Sequence, residues 1–377
     1  MIYAEPPLTC DDNAVLELIR EQREQLAMVT QNSPRRWIGS LRRSTFARNI
    51  RGSNSIEGYH VSIDEAIAAI ENEPPLDERT ETWLAISGYR DALSYIMQAA
   101  QDPYFAFSKQ FLKSLHFMMI KHALDKHPGQ WRPGVIFVVN QNHETVYEGP
   151  PAEDVDGLVQ ELVDYLTAPS LSSPIVKAAM AHLNLTMIHP FKDGNGRMAR
   201  ALQTLVLARE GILHPVFCSI EEWLGKNTEQ YYAVLGITGE GRWNPGNDAR
   251  LWVRFCLRAH YYQAATLILR TEEHSQLFDS VERIIQRNKL DERMAVPLAE
   301  AARGWRLTNE RYQKDADVTG HIASRDLKKL SDLELIEPHG EKRGRYYMAG
   351  LELKAARLAV RFKQRMADPY ELVKKNA

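Results

Sequence analysis

The stretch HPFKDGNGRMAR, His189 to Arg200, brings a histidine, an aspartate, a Gly-Asn-Gly turn and two arginines into twelve residues. Helical patterns flank it. Ser173 to Ile188 precedes it, and Asn195 to Arg209 follows, with Met198, Leu202, Leu205 and Val206 as an apolar stripe and Gly211 just past the end. Gly194-Asn195-Gly196 therefore opens a helix. Free backbone N–H groups and the positive helix end make an anion site there, and glycines let an anion come close. Arg197 and Arg200, three apart, share a helix face and can both reach that anion. Mg²⁺ is typically held by one or two carboxylates plus phosphate oxygens, and Asp193 can be such a carboxylate. His189 can accept a proton from an attacking hydroxyl at neutral pH. Taken singly, these pieces also read as a turn, a loop and a solvated face. Together they suit phosphoryl or nucleotidyl transfer, in which positioning and charge neutralisation do most of the catalysis.

The rest of the chain sets bounds on that reading. Its 377 residues suggest two or three domains, and the net charge of −2 gives no global attraction to nucleic acid or membrane. The start, MIYAEPPLTCDD, lacks the basic and apolar regions of a signal peptide, and no apolar run is long enough to span a bilayer. Cys10, Cys218 and Cys256 are scattered and odd in number, which fits reduced thiols in a cytoplasm. The twelve histidines form no HExxH pattern, and His122 with His127, or His182 with His189, lack a fitting set of metal partners. His182 reads as a packed polar residue near the site.

Most of the sequence predicts helix: Asp11 to Gln31, a segment opened by the capping-box variant Ser62–Glu65 and ended by Pro74-Pro75, then Thr82 to Gln101, Ser108 to His122, Asp154 to Leu166 and Asn247 to Leu269. The exception is 131–151. There the β-branched run Val135–Val139, the turn Asn140-Gln141-Asn142-His143 and Thr145-Val146-Tyr147 predict a hairpin, stopped by Gly149-Pro150-Pro151. Near the end, Asn309 to Ala316, a turn, Gly320 to Leu333 and a small hairpin around His339–Tyr347 give a winged helix-turn-helix pattern.

His189-Pro190-Phe191-Lys192-Asp193-Gly194-Asn195-Gly196-Arg197-Met198-Ala199-Arg200 resembles the HxFx(D/E)GNGRxxR signature of the Fic family, whose enzymes transfer AMP from ATP to hydroxyl side chains of proteins. The resemblance extends over most of 40–265. It implies a mainly α fold: a Fic-type helical bundle with a β-hairpin flap, followed by the winged helix-turn-helix. The expected domains are 1–100, a helical region carrying an inhibitory motif; 101–270, the catalytic core; and 271–377, the winged helix and tail. The resemblance also implies roles. His189 deprotonates the target hydroxyl, Asp193 holds Mg²⁺, Gly194, Asn195 and Gly196 form the anion hole, and Arg197 and Arg200 hold the phosphates of ATP, Arg200 toward the γ end. Phe191 anchors the loop. A kinase-like branch carries a lysine where Gly196 stands, so AMP transfer is favoured. Asn227, Tyr231 and Tyr232 resemble the segment lining the adenine pocket. The 131–151 hairpin resembles the flap that docks a protein substrate.

Ser53-Asn54-Ser55-Ile56-Glu57-Gly58 matches the family's inhibitory (S/T)xxxE(G/N) pattern. The resemblance implies that Glu57 pairs with Arg200 and holds ATP in an unproductive pose, with Ser53 and Gly58 framing the motif. In some relatives the same glutamate supports removal of AMP. From Arg306 to Arg345 nine basic residues face eight acidic ones, a net of +1 and a weak footprint for DNA, although Lys328-Lys329 and Lys342-Arg343-Gly344-Arg345 are local clusters. A module that recruits targets or dimerises the chain is favoured. The expectation is a cytoplasmic enzyme, a homo-oligomer able to modify itself. The alternative is a winged-helix DNA-binding regulator with a nucleotide-sensing Fic core.

Overall fold

The computed structural model describes residues 1–31, 37–73, 80–139, 142–169, 172–341, 344–360 and 366–376. Part of the hairpin turn (Asn140-Gln141), the Pro74-Pro75 stop and the Lys342-Arg343 cluster lie outside the described residues. The chain divides into two units. One comprises 1–32, 44–265 and 366–377; the other comprises 33–43 and 266–365.

In the first unit the helices are α1 (Cys10–Gln31), the latter part of α2 (Ile38–Ile56), α3 (Ile63–Ile70), α4 (Glu81–Ala99) and α5 (Lys109–Ile120). After strands β1 (Phe137–Val139) and β2 (Thr145–Glu148) come α6 (Val155–Thr167), α7 (Pro174–Ile188), α8 (Asn195–Ala208), α9 (Glu221–Lys226), α10 (Thr228–Gly239), the first part of α11 (Arg250–Arg287) and α16 (Pro369–Asn376). α7 and α8 pack along each other at the centre. Both are buried on nearly every side, so the polar residues of α8 are enclosed along with its apolar stripe. α4 covers α8 and carries α5, α6 covers α7, and α1 receives α16. Polar anchors fix this packing. The Trp252 indole donates to the Ala179 carbonyl at 2.7 Å, and Tyr370 and Arg254 both bond the buried Asp12 carboxylate.

The capping box that opens α3 is present, with reciprocal bonds between Ser62 and Glu65. The helix closes at Ile70. α11 runs to Arg287, well beyond the expected end at Leu269. The polar run Arg270–His274 hides its continuity, yet Leu267, Leu277, Phe278, Val281 and Ile285 behind it are buried. The segment around Ser53 is also helical, as the end of α2. Ser53 is an interior residue there rather than a cap, and Gly58 turns the chain just beyond with φ +85°.

In the second unit α12 (Ala295–Ala302), α13 (Asn309–Ala316) and α14 (Gly320–Asp332) precede the antiparallel strands β3 (Ile336–His339) and β4 (Tyr346–Ala349), then α15 (Leu351–Ala359). Tyr347 also bridges Leu307. Leu298, Tyr312, Leu327, Leu330 and Leu353 fill the core. Asp326 is buried between Arg293 and the Tyr312 hydroxyl. Among the described residues no helix is long and apolar enough to cross a membrane.

Candidate active site

The site is built where α7 ends and α8 begins. His189 closes α7 in the left-handed region, φ +50°, which few residues with a side chain adopt. Its Nδ1 lies 3.1 Å from the Thr186 carbonyl, an acceptor, so that nitrogen carries the proton. Nε2 is left with its lone pair. Burial pushes the imidazole down to about 4, against the Thr186 hydrogen bond, and the Arg132 charge pushes the same way as burial. The ring is thus neutral at pH 7, as a base must be.

A third arginine, whose role the sequence did not show, holds this turn. Arg132 donates from Nε to the His189 carbonyl at 2.9 Å, from Nη1 to the Gly134 carbonyl and from Nη2 to the Pro150 carbonyl, each at 2.5 Å. Its own N–H reaches the Pro190 carbonyl at 2.9 Å. One guanidinium therefore ties both ends of the hairpin to the His-Pro turn. Tyr147 adds a bond from its hydroxyl to the Met187 carbonyl at 2.8 Å. β2 is braced on its outer side by Glu148 with Gly241 and Trp243, whereas β1 carries the exposed Phe137 and Val139 at its edge.

The loop 190–194 is bracketed from within. The Asn195 amide accepts from the Phe191 N–H and donates to the Phe191 carbonyl, both at 2.9 Å. Phe191 is fully buried and stacks on His116 with ring centroids 3.7 Å apart, so its truncation would cost about 3–5 kcal/mol. His116 donates from Nε2 to the Asp193 carbonyl and accepts the Gly129 N–H on Nδ1. Burial lowers it to about 4, which keeps it neutral. The sequence pointed to the Phe191 anchor but not to His116. Gly194 has φ +76°, and a Cβ there would meet Ile120 at 2.8 Å.

The first helical bond of α8 is Met198 N–H to the Gly194 carbonyl, so the N–H groups of Asn195, Gly196 and Arg197 have no partner within the helix. Arg197 is 2% exposed, and its Nε and Nη1 have no hydrogen-bond partner among the described residues. It lies over the Tyr59 ring and 3.9 Å from Asp193. A buried guanidinium with unspent donors beside free helix N–H groups is a prepared anion site. Asp193 bonds the Gly194 N–H at 2.6 Å through Oδ1 and is otherwise part-exposed.

Arg200 is spent differently. It is 1% exposed, donates from Nε to the Ser53 hydroxyl at 2.7 Å, and from Nη2 to the Ser53 carbonyl at 3.2 Å and to Glu57 Oε1 at 2.6 Å. Burial alone would lower its pKa, but the Glu57 carboxylate more than offsets this and holds it well above the ordinary value. Gly196 makes the room, since a Cβ there would meet Glu57 Oε1 at 2.7 Å.

The remaining expected residues flank this centre. Asn227, between α9 and α10, donates to the Trp223 carbonyl. Tyr232 is half exposed and its hydroxyl reaches the Ile56 carbonyl at 3.3 Å. Tyr231 is buried, its hydroxyl 2.9 Å from His182 Nε2 in a chain that continues through Gln203 to His260. His182 is the packed polar residue expected of it. Among the described residues no three His, Cys, Asp or Glu side chains gather to hold a metal.

Comparison with known proteins matches the same segment. Residues 106–207 match the Fic/DOC family. The chain is 27% identical over 256 residues to the protein adenylyltransferase Fic of Nematostella vectensis, covering 66% of this chain and 54% of that protein. It is likewise 27% identical over 250 residues to the Drosophila melanogaster protein of that name, covering 65% and 46%. The chain thus spans about half the length of the curated relatives it matches. Among solved structures, a Fic family protein from Desulfovibrio desulfuricans superimposes with a TM-score of 0.60 at 21% identity, covering 96% of this chain and 99% of that one. Residues 134–508 of C. elegans Fic-1 give 0.54 at 22%, covering 68% and 72%. At these identities the structural likeness speaks to the fold, which is mainly helical and of the Fic type. Residues 106–207 are thus similar to the Fic/DOC family, and the fold around them is of the Fic type.

Proposed function

We propose that this protein transfers AMP from ATP to a hydroxyl side chain of target proteins, and that Glu57 holds it inactive. The observation that carries the reading is the buried clasp of Arg200 by Glu57 at 2.6 Å, beside an arginine whose donors are unspent. In the active state the triphosphate takes the place of the Glu57 carboxylate. Arg197 and the α8 N–H groups hold the phosphates, and Arg200 holds the γ end. His189 Nε2 takes the proton of the attacking hydroxyl, whose oxygen bonds the α-phosphorus as pyrophosphate leaves. Arg132 fixes the turn that sets the imidazole. Asp193, a lone part-exposed carboxylate, suits Mg²⁺ that takes its other ligands from phosphates and water; the ion would neutralise developing charge.

Asn227 and Tyr232 line the adenine side, with Tyr231 supporting them from beneath. An extended target segment pairs with the open edge of β1, beside Phe137 and Val139. The helices and hairpin of the second unit form a winged helix that recruits targets or a second copy of the chain. With Glu57 in place, the same site can also remove AMP, and the chain's own hydroxyls are accessible targets. The test is incubation with labelled ATP. Protein labelling that is lost in His189→Ala supports AMP transfer; labelling that persists in His189→Ala, or none in any variant, refutes it.

A further inference from the structure

Behind Arg200, away from Glu57, a row of buried polar side chains crosses four helices. Arg200 of α8 donates from Nε to the Ser53 hydroxyl of α2. The Ser53 hydroxyl acts on the neighbouring Tyr89 hydroxyl of α4, pulling that phenol down against its burial. Tyr89 donates to Glu221 Oε1, at the start of α9, at 2.8 Å. Arg200 donates to Ser53 and Tyr89 donates to Glu221, so the side chains run in the order Arg200, Ser53, Tyr89, Glu221.

All four side chains are buried, with Ser53 and Tyr89 at 0% and Arg200 and Glu221 at 1% exposure. Glu221 Oε2 has no hydrogen-bond partner among the described residues. A carboxylate left half satisfied in a core is costly unless something requires it there. The helices are also drawn together at this point. Gly52 of α2 packs against the Glu221 carbonyl, and a Cβ on Gly225 would meet the Gly52 carbonyl at 2.7 Å. Burial raises the Glu221 carboxyl to about 7, against the Tyr89 hydrogen bond and the Arg200 charge, which pull it down. The charged group that acts on this carboxyl is Arg200 of α8.

We propose that Glu221 is a positioning residue for Arg200, acting through Tyr89 and Ser53 to hold the Nε side of the guanidinium so that its Nη atoms face the nucleotide or Glu57. Glu57 engages Nη2, whereas the relay engages Nε, so the relay persists when Glu57 is displaced. Its role is to keep Arg200 in place for the terminal phosphate. This rests on the reading of Arg200 as the γ-phosphate arginine, and the test separates the two.

The first arm needs no nucleotide. In the Glu57→Gly protein, exchange of the Arg200 Nε–H with solvent, followed by ¹⁵N-resolved NMR, should speed several-fold on adding Tyr89→Phe, an isosteric change. The second arm is calorimetry with ATP and with ADP, each with magnesium. Tyr89→Phe and Glu221→Leu should each weaken ATP about three- to tenfold, the loss of one hydrogen bond, with ADP within about twofold. Glu221→Gln, which still accepts from Tyr89, should restore the ATP affinity. Unchanged Nε–H exchange, or ATP and ADP weakened together, overturns the relay. If Glu57→Gly binds ATP no better than ADP while exchange responds as expected, the γ-phosphate role fails and the relay stands as an anchor of Arg200 alone.

Discussion

In the segment Asp193–Arg200 the two arginines are buried to within 2% and meet partners from far along the chain, Arg200 reaching Ser53 and Glu57 and Arg197 lying over Tyr59. In the segment Asn309–Arg345 most of the charge is on the outside. Arg325, Lys328, Lys329 and Arg345 are exposed, and the buried charges have partners close by, Arg311 on the Arg306 carbonyl and Asp326 on Arg293. A buried cation persists only where something compensates it, and at Arg197 the protein offers no full compensation. That deficit implies a ligand. An exposed lysine is satisfied by water and implies nothing by itself. The first segment therefore announces a chemistry, and the second only a surface.

This contrast can be broken by substitution. The largest effect belongs to His189. In a Glu57→Gly background, His189→Ala should reduce initial labelling by at least about a hundredfold, the ordinary contribution of a positioned base. Next comes Arg132. Arg132→Lys loses the fork that grips three carbonyls and should lower the labelling rate about tenfold, through geometry rather than charge. The pH profile is a gentler test. Because His189 is pushed down to about 4, it is deprotonated throughout pH 6–8; its contribution should hold there and be lost only as pH falls through about 4. A fall centred near 6.5 in initial rates would show that the imidazole is not held neutral. The smallest effect is expected in the other segment. Lys328→Ala with Lys329→Ala should change self-labelling less than about twofold, as exposed substitutions commonly do. A large loss there would make the second segment part of the chemistry.

Much of the site was legible because it is contiguous. A turn, its helix and two arginines three residues apart declare their geometry through local rules, and α8 begins where its glycines place it. The helix-to-hairpin-to-helix change around 131–154 was legible for the same reason. What escaped was set by contacts across the chain. His116 reaches Asp193 over 77 positions, Arg132 reaches His189 over 57, and Tyr89 reaches Glu221 over 132. Nothing in the residues adjacent to any of these marks it as different from an ordinary helical histidine or tyrosine or an ordinary loop arginine. The helical part of 38–52 was hidden as well, since its arginines mask the burial of Leu41, Ala47 and Ile50. The length of α11 was hidden by polar residues mid-helix.

The Arg200–Glu57 clasp is the point on which the functional reading turns. Removing Glu57 leaves a buried guanidinium short of a partner, a cost of about 2 kcal/mol that a bound phosphate recovers. The direct measurement is labelling of wild-type and Glu57→Gly protein in parallel with ATP carrying the label on the α-phosphate or on the γ-phosphate. Strong incorporation from the α position in Glu57→Gly alone, with none from the γ position, is the predicted result. Equal labelling of the two proteins, or incorporation from the γ position, would contradict it.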